Sequence, residues 1–271
     1  MNKRSLYGVV GRMLFFHRKP EIRILMYHRV NPGRDISDMH ITVTPRAFRE
    51  QMQWLASKQW KVIPLSEAFR QINNKSIENP KQAVITFDDG YEDNYTHALP
   101  VLKAFCFPAT IFLASGKIEV NPEFLNPDQI SYMQGQKITF GGHTFSHPDL
   151  TGISTEKAWE EIYLSKQKLE KMLKSTVDTF AYPYGRFNAV HCHQLKNAGY
   201  QTAVTVAPGG NGGNENRFML KRTEIANQDT IFDFANKLKG GFDWIHRYVQ
   251  RNHGLYPVPQ KRGRENERFN R

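Results

Sequence analysis

Short runs of apolar and β-branched residues alternate along this chain with longer segments in which apolar residues recur at helical spacing. The short runs predict buried strands, and the longer segments predict amphipathic helices. Alternation of the two is typical of βα units that build a parallel sheet. The predicted strands are 23–27, 83–87, 109–113, 138–140, 178–182, 201–206 and 218–225.

Helix signals separate most of these strands. Thr44 and Pro45 predict the start of one helix, and Ser66 is the predicted cap of the next. Further helices are predicted at 94–105, 155–174 and 188–198. About seven strands with helices between them approach the count of a closed (β/α) barrel. We therefore expect an α/β fold, a distorted (β/α) barrel, with a doubly wound open sheet as the alternative.

One long loop, 208–213, is rich in glycine. It lacks the Gly-Lys-Ser/Thr ending of a phosphate-binding loop, so phosphate binding is not predicted there. Loops of this kind are often mobile or functional. We expect a flexible lid or a plain linker.

Composition and charge divide the chain into three parts. The 271 residues are 39% hydrophobic, enough to bury the core of one large domain. Two cysteines, Cys106 and Cys192, can build neither a disulfide scaffold nor a zinc finger. Of the net charge of +11, residues 1–20 contribute +5 and residues 261–271 contribute +3. We expect a basic N-terminal extension at 1–21, an α/β domain at 22–245 and a basic C-terminal tail at 246–271.

The N-terminal extension bears on localisation. Its apolar run, 6–16, is shorter than the ~20 residues of a membrane-spanning helix, and no small-residue cleavage site follows it. We expect an uncleaved, cytoplasmic protein. A basic, partly apolar stretch also fits a helix that rests on an anionic inner-membrane surface, with a frayed terminus as the alternative. The basic ends contain no nucleic-acid-binding module, so no nucleic-acid partner is expected.

Side chains able to do chemistry follow the predicted strands. His28 ends the first strand, Asp88 and Asp89 end the second, and His143 and His147 follow the fourth. The carboxyl ends of parallel strands meet on one face of an α/β fold, so these side chains converge there. This convergence predicts an active site.

The two histidines are four residues apart, and both rings can reach one ion. With one carboxylate they form a set that leaves positions open for water and substrate, although two surface histidines are the alternative. Adjacent side chains point in different directions. Of Asp88 and Asp89, one can therefore bind a metal while the other stays free as a base.

Three motifs resemble those of the polysaccharide deacetylases, the family that shares the NodB-homology domain (carbohydrate esterase family four). They are TFDDG at Thr86–Gly90, HTFSH at His143–His147 and FAYPYG at Phe180–Gly185. The opening LMYHRV at Leu25–Val30 is similar to the start of the subgroup that acts on exopolysaccharides. The motifs occur in family order, each at a predicted strand end.

The resemblance implies a divalent metal held by Asp89, His143 and His147, with Asp88 as the catalytic base. It also implies that the backbone N–H of Tyr184 stabilises the oxyanion. Zinc suits these nitrogen and oxygen ligands, and cobalt, nickel, manganese or iron could serve in its place. Pro183 is a further candidate substrate contact. The candidate aromatic platform for a sugar ring comprises Tyr27, Tyr91, Tyr95, Phe145 and Tyr182.

Two features depart from the family pattern. The third motif often carries an arginine that orients the base, but Ala181 stands in that place, and Arg222 is the candidate substitute. The family's late histidine acid has no clear counterpart. His28 is the candidate general acid, whereas His246 fits a structural role better.

The sequence therefore predicts a metal-dependent deacetylase. Its substrate would be an N-acetylated amino sugar in a polysaccharide, an oligosaccharide or a lipid-linked glycan precursor. An O-acetyl esterase or a deformylase would use the same residues. A catalytically silent carbohydrate-binding protein on the same fold is the alternative from another class, motivated by Ala181 and the unassigned acid.

Overall fold

Seven parallel strands close into a barrel in this computed structural model, which describes residues 20–33, 40–77 and 79–243. The strands are β1 (Arg23–Tyr27), β2 (Arg29–Val30), β3 (Thr42–Val43), β4 (Lys61–Val62), β5 (Gln82–Phe87), β6 (Ala109–Leu113), β7 (Ile138–Gly142), β8 (Thr179–Ala181), β9 (Thr202–Pro208) and β10 (Leu220–Glu224). The α-helices are α1 (Pro45–Ser57), α2 (Leu65–Asn73), α3 (Leu99–Ala104), α4 (Pro127–Gln134), α5 (Thr155–Leu173), α6 (Ala189–Asn197) and α7 (Ile231–Leu238).

The barrel runs in the order β1-β10-β9-β8-β7-β6-β5 and closes by the pairing of β1 with β5. Strand β4 adds to the amino-terminal part of β5, and β2 pairs with β3 in a separate parallel pair. The predicted distorted barrel is confirmed, and the open sheet is wrong. Strand β7 extends beyond its predicted end through Gly141 and Gly142. Position 142 requires glycine, because a Cβ atom there would lie 2.3 Å from the Tyr200 hydroxyl.

The interior of the barrel is apolar at its amino end. Inward-facing side chains of the strands pack in one cluster with Leu65, Ala68 and Ile72 of α2. Gln71 of α2 also exchanges hydrogen bonds with Gln82, the first residue of β5 (3.2 and 3.0 Å). Helix α2 therefore covers the amino end of the barrel.

The glycine-rich loop lies at this same end, so the expectation of a lid is wrong. Asn211 pairs with Ile22 through two backbone hydrogen bonds (2.9 and 3.0 Å). Its side-chain Nδ2 donates to the Lys221 carbonyl, and its Oδ1 accepts from the Lys221 amide (both 2.9 Å). The loop thus fills the space between β1 and β10, where their own pairing has not yet begun.

Two helix details differ from the expectations. Thr44 caps α1 as predicted, but α2 begins at Leu65 behind Pro64, which offers no side-chain cap, so Ser66 lies inside the helix. The segment predicted as one helix at 94–105 begins with a π-helical turn, Asn94–Ala98, before α3.

Among the residues that the structure describes, no helix is long and apolar enough to cross a membrane. Residues 1–19, the tail 246–271 and His246 lie outside the described residues.

Candidate active site

A cavity of about 420 Å³ opens at the carboxyl ends of the barrel strands. Each of the seven barrel strands contributes to it, either from the strand itself or from the loop that follows. The lining residues are Met26, His28, His40, Ile41, Asp88, Asp89, Tyr91, Lys117, His143, His147, Tyr184, Val206 and Glu224.

Three ligand atoms converge in this cavity. His147 Nε2 lies 3.1 Å from His143 Nε2 and 3.1 Å from Asp89 Oδ1, and His143 Nε2 lies 3.5 Å from Asp89 Oδ1. Ligands about 2.0–2.1 Å from a tetrahedral zinc ion are about 3.3 Å apart. The spacing of the three atoms therefore fits one such ion.

The chemistry of the same residues also fits a metal. The Nδ1 atom of His143 donates to the Ala181 carbonyl (2.7 Å), which leaves its Nε2 lone pair facing the cavity. Burial and the charge of His147 lower the pKa of His143 to about 4, so this ring is neutral at pH 7. Asp89 Oδ1 is buried and makes no hydrogen bond of good geometry among the described residues, although the two Nε2 atoms lie 3.1 and 3.5 Å from it. A cation would satisfy that oxygen.

Asp88 is held differently from Asp89. Arg222 donates two hydrogen bonds to it, from Nη1 to Oδ1 (2.6 Å) and from Nη2 to Oδ2 (2.7 Å). Burial raises the pKa of Asp88, but the Arg222 guanidinium outweighs burial and holds that pKa below its ordinary value. Asp88 is therefore an ionised carboxylate that faces the cavity, with its orientation fixed by Arg222.

Arg222 is itself fixed inside the barrel. Its side chain is fully buried, and its Nε donates to the Thr205 carbonyl (2.8 Å). It therefore occupies the position next to Asp88 that the sequence assigned to it as the substitute for the missing third-motif arginine. Ala181 contributes its carbonyl to His143 instead of a side chain to Asp88.

The loops of the site depend on unusual backbone conformations. Asp89, Thr144, His147 and Tyr184 all have φ between 57° and 69°, in the left-handed region that non-glycine residues rarely adopt. Such conformations persist only where surrounding contacts hold them. Glu161 of α5 supplies contacts for the second motif, since its carboxylate accepts from Phe145 N–H (3.0 Å) and from Ser146 N–H and Oγ (both 2.7 Å).

Two other predicted residues line the cavity. His28 follows β1 and lies close enough to Asp88 and Asp89 to affect their electrostatics. Tyr184 places its ring beside His147, with a centroid distance of 4.8 Å. Within the described part of the chain, the backbone N–H of Tyr184 has no acceptor, and so it is available to an oxyanion.

The predicted substrate contacts Tyr182 and Pro183 are wrong as cavity-lining side chains. Tyr182 is buried on the outer side of β8, where it stacks on Phe187 and donates its hydroxyl proton to the Phe218 carbonyl (3.1 Å). Pro183 is buried in the turn that precedes Tyr184. Of the candidate platform, Tyr91 alone lines this cavity; the side chains outside it are Tyr27, Tyr95, Phe145 and Tyr182.

Among the residues that the sequence missed are three polar side chains of the cavity and one that supports a motif. His40, Lys117 and Glu224 line the cavity, and Glu161 holds the second motif. Glu224 had a signal in the strand period, because it faces the same side of β10 as Arg222. Glu161 had one too: it lies on the apolar stripe of α5, where a charge requires a partner.

A closed parallel barrel with a carboxylate-histidine cluster beside an arginine-held aspartate defines the class of protein. The chain belongs to the polysaccharide deacetylase family, a family of hydrolases. The family model described as polysaccharide deacetylase matches residues 75–203. The Bacillus subtilis (strain 168) protein YxkH, whose name assigns it to the polysaccharide deacetylases, is 30% identical over 206 residues, which cover 76% of this chain and 72% of YxkH.

Two further relatives are similar over most of their length. A poly-beta-1,6-N-acetyl-D-glucosamine N-deacetylase of Staphylococcus aureus (strain MRSA252) is 28% identical over 80% of this chain and 82% of its own. The solved structure of Streptococcus pyogenes deacetylase PplD in complex with acetate is 26% identical, with a TM-score of 0.76 over 82% of this chain and 99% of PplD. The fold and the family are thus consistent with the site.

Proposed function

We propose that this polysaccharide deacetylase is metal-dependent and hydrolyses the N-acetyl group of an amino sugar in a polysaccharide, an oligosaccharide or a lipid-linked glycan precursor. One observation carries the proposal: a three-ligand cluster lies next to a carboxylate that is not part of it. Amide hydrolysis needs both a Lewis acid that polarises the carbonyl and a base that takes the proton of the attacking water.

Asp89, His143 and His147 would hold the ion. Two imidazoles and one carboxylate suit zinc, and cobalt, nickel, manganese or iron are alternatives. A bound divalent ion supplies Lewis-acid chemistry, because it polarises a carbonyl oxygen and lowers the pKa of water. The Ala181 carbonyl keeps the His143 ring in the tautomer that ligation requires.

Asp88 is the proposed general base. Arg222 prevents it from rotating towards the metal cluster and keeps it ionised, so that it can accept the proton of the attacking water. The two carboxylates of Asp88 and Asp89 then perform different tasks in one cavity. Arg222 acts through Asp88 and is a positioning residue.

His28 and Tyr184 complete the proposed machinery. The Tyr184 N–H would donate to the oxyanion that forms when water adds to the acetyl carbonyl. The amine cannot leave as an anion, so a proton must be delivered to its nitrogen, and His28 is the group in the cavity that we assign to this step. The products are acetate and a free amino sugar.

The substrate class draws support from the relatives and from the cavity. The Staphylococcus aureus relative carries the name of an N-deacetylase of poly-beta-1,6-N-acetyl-D-glucosamine. Tyr91 offers an aromatic face at the cavity wall, where it stacks on Phe124 at a centroid distance of 5.0 Å. A sugar ring can pack against such a face.

Acetate release tests the proposal directly. Protein stripped of metal and reloaded with zinc or cobalt would be incubated with N-acetylglucosamine oligomers and with a lipid-linked N-acetylated sugar. We expect release that depends on added metal. Release from O-acetylated or N-formylated sugars alone would indicate the esterase or deformylase, and sugar binding without any release would indicate a silent binding protein.

We further propose that the protein acts in the cytoplasm and contacts the inner membrane peripherally through residues 1–20. The support is their charge of +5 without any acidic residue. Deletion of residues 1–20 should abolish sedimentation with anionic vesicles and leave turnover of a soluble substrate unchanged. Unchanged vesicle binding would contradict the membrane contact.

A further inference from the structure

His28 lies at the point where the chain leaves the barrel. Strand β1 ends at Tyr27, whose carbonyl accepts from the Asp88 amide (2.9 Å), and β2 begins at Arg29. The His28 carbonyl accepts instead from Asn94 Nδ2 (2.8 Å). The backbone of His28 is therefore tied to the segment that follows Asp88 and Asp89.

Asp93 ties down the next two residues. Its Oδ1 accepts from the Val30 amide (3.0 Å), and its Oδ2 accepts from Arg29 Nε (2.9 Å). Asn94 Nδ2 also donates to Asp93 Oδ1 (3.2 Å), so the two side chains form one unit. Both are buried, Asp93 to 3% exposure and Asn94 to 0%. Asn94 Oδ1 has no partner among the described residues, so the arrangement depends on the bonds to the His28 carbonyl, Arg29 and Val30.

We propose that Asp93 and Asn94 are positioning residues that fix His28 relative to Asp88 and Asp89. The inference rests on the proposed role of His28 as general acid. Asp88, Asp89, Asp93 and Asn94 belong to one short segment, which leaves β5 and enters the π-helical turn Asn94–Ala98. Asp93 and Asn94, which we call the clamp on His28, are thus joined to the proposed base Asp88 by a few residues of backbone. Single π-helical turns frequently occur at functional sites.

The same carboxylate orients one wall of the cavity. Arg29, held by Asp93, places its guanidinium 4.5 Å from the ring centroid of Tyr91. Tyr91 in turn stacks on Phe124, and Lys117 Nζ lies 4.6 Å from the Phe124 ring centroid. Loss of Asp93 would therefore disturb both the chain next to His28 and the wall at Tyr91, whereas loss of Asn94 would remove the direct bond to the His28 carbonyl and leave the Asp93–Arg29 pair in place.

A double-mutant cycle separates positioning from a purely structural role. Asn94→Ala and Asp93→Asn would each be made in the wild type and in the His28→Ala variant, and kcat and KM measured with zinc-loaded enzyme. Substitutions of supporting groups of this kind typically cost about 10–100-fold. We expect such a loss in kcat with KM changed less than about 3-fold for Asn94→Ala, and an effect that falls below about 3-fold in the His28→Ala background.

Asp233→Asn is the matched control. Asp233 is equally buried and caps α7 through the Thr230 amide and hydroxyl (3.2 and 2.8 Å). It should lower the urea midpoint and leave kcat unchanged in both backgrounds. Equal losses of kcat from Asn94→Ala with and without His28 would overturn the proposal, because Asn94 would then support the fold in general and not the position of His28.

A second measurement does not depend on turnover. The Cε1–H resonance of His28, assigned by its absence in His28→Ala, should shift or broaden in Asn94→Ala while that of His191 stays in place. An unchanged His28 resonance would contradict positioning. Wild-type enzyme without acetate release would contradict the proposed function, whereas active enzyme indifferent to His28→Ala would contradict the role of His28 and with it this proposal.

Discussion

The two ends of the barrel are built on opposite principles. At the amino end, Leu65, Ala68 and Ile72 of α2 pack against the apolar interior. At the carboxyl end, buried carboxylates and imidazoles face an open cavity, and four residues there keep left-handed backbones. A parallel barrel thus separates the part that stabilises the fold from the part that does chemistry.

Arg222 lies at the boundary between the two ends. It is enclosed by the barrel and lies over the ring of Phe112, an interior core residue, at 5.7 Å from the ring centroid. Its guanidinium ends on Asp88 in the cavity. A buried charge is tolerated only when it is paired. Arg222 therefore needs the Asp88 carboxylate as its partner, and Asp88 needs Arg222 to keep its orientation.

The largest effect is expected at the metal cluster. His147→Ala removes one of three ligands, and we expect loss of bound zinc together with a drop in turnover of about 10⁴-fold, since a catalytic ion contributes several kcal/mol. Zinc content by mass spectrometry and acetate release check this. His193→Ala, on the exposed side of α6, is the matched control and should keep both. A fully zinc-loaded His147→Ala protein would remove His147 from the ligand set.

The next effect is expected at Asp88. Asp88→Asn keeps the shape of the side chain but cannot take a proton, and loss of a general base typically costs ~10²–10⁴-fold. We expect a fall of kcat of about 10³-fold with zinc content unchanged. Loss of the metal in this variant would show that the two carboxylates do not have separate tasks.

The smallest effect on catalysis is expected at the amino end. Ile72→Ala opens a cavity beneath the barrel and should lower the free energy of unfolding by about 2–5 kcal/mol, with kcat and zinc affinity unchanged. Urea unfolding and acetate release below the unfolding transition measure the two quantities. Ile231→Ala, a 42% exposed isoleucine on α7, is the control and should change stability by less than about 0.5 kcal/mol. A large loss of kcat in Ile72→Ala would show that the two ends are coupled.

Most of the fold could be predicted because its signals are local. Strand periodicity and caps such as Thr44 follow from a few neighbouring residues, and the observed β1, β5 and β6 fall within a residue of their predicted bounds. The error at Tyr182 was avoidable by the same rule. Ala181 faces the barrel interior, so the alternating side chains of Phe180 and Tyr182 must face the helices.

Other errors had no local signal. The glycine-rich loop follows a strand whose carboxyl end borders the cavity, yet it returns to the amino end because Asn211 completes the gap between β1 and β10. The clamp on His28 depends on contacts between residues 63 to 66 positions apart in the chain. No periodicity or short motif encodes such contacts.

The sequence by itself determined the strand and helix pattern, the three motifs and the residues that bear the chemistry, because each depends on residue type and short spacing. Only the tertiary structure decided that Arg222 donates two hydrogen bonds to Asp88, that three ligand atoms come within 4.8 Å of one another, and that Asn94 holds the His28 carbonyl while Asp93 holds Arg29 and Val30. Barrel closure places β1 between β10 and β5, which are far apart in the sequence, and the distances that matter for catalysis exist only after that closure.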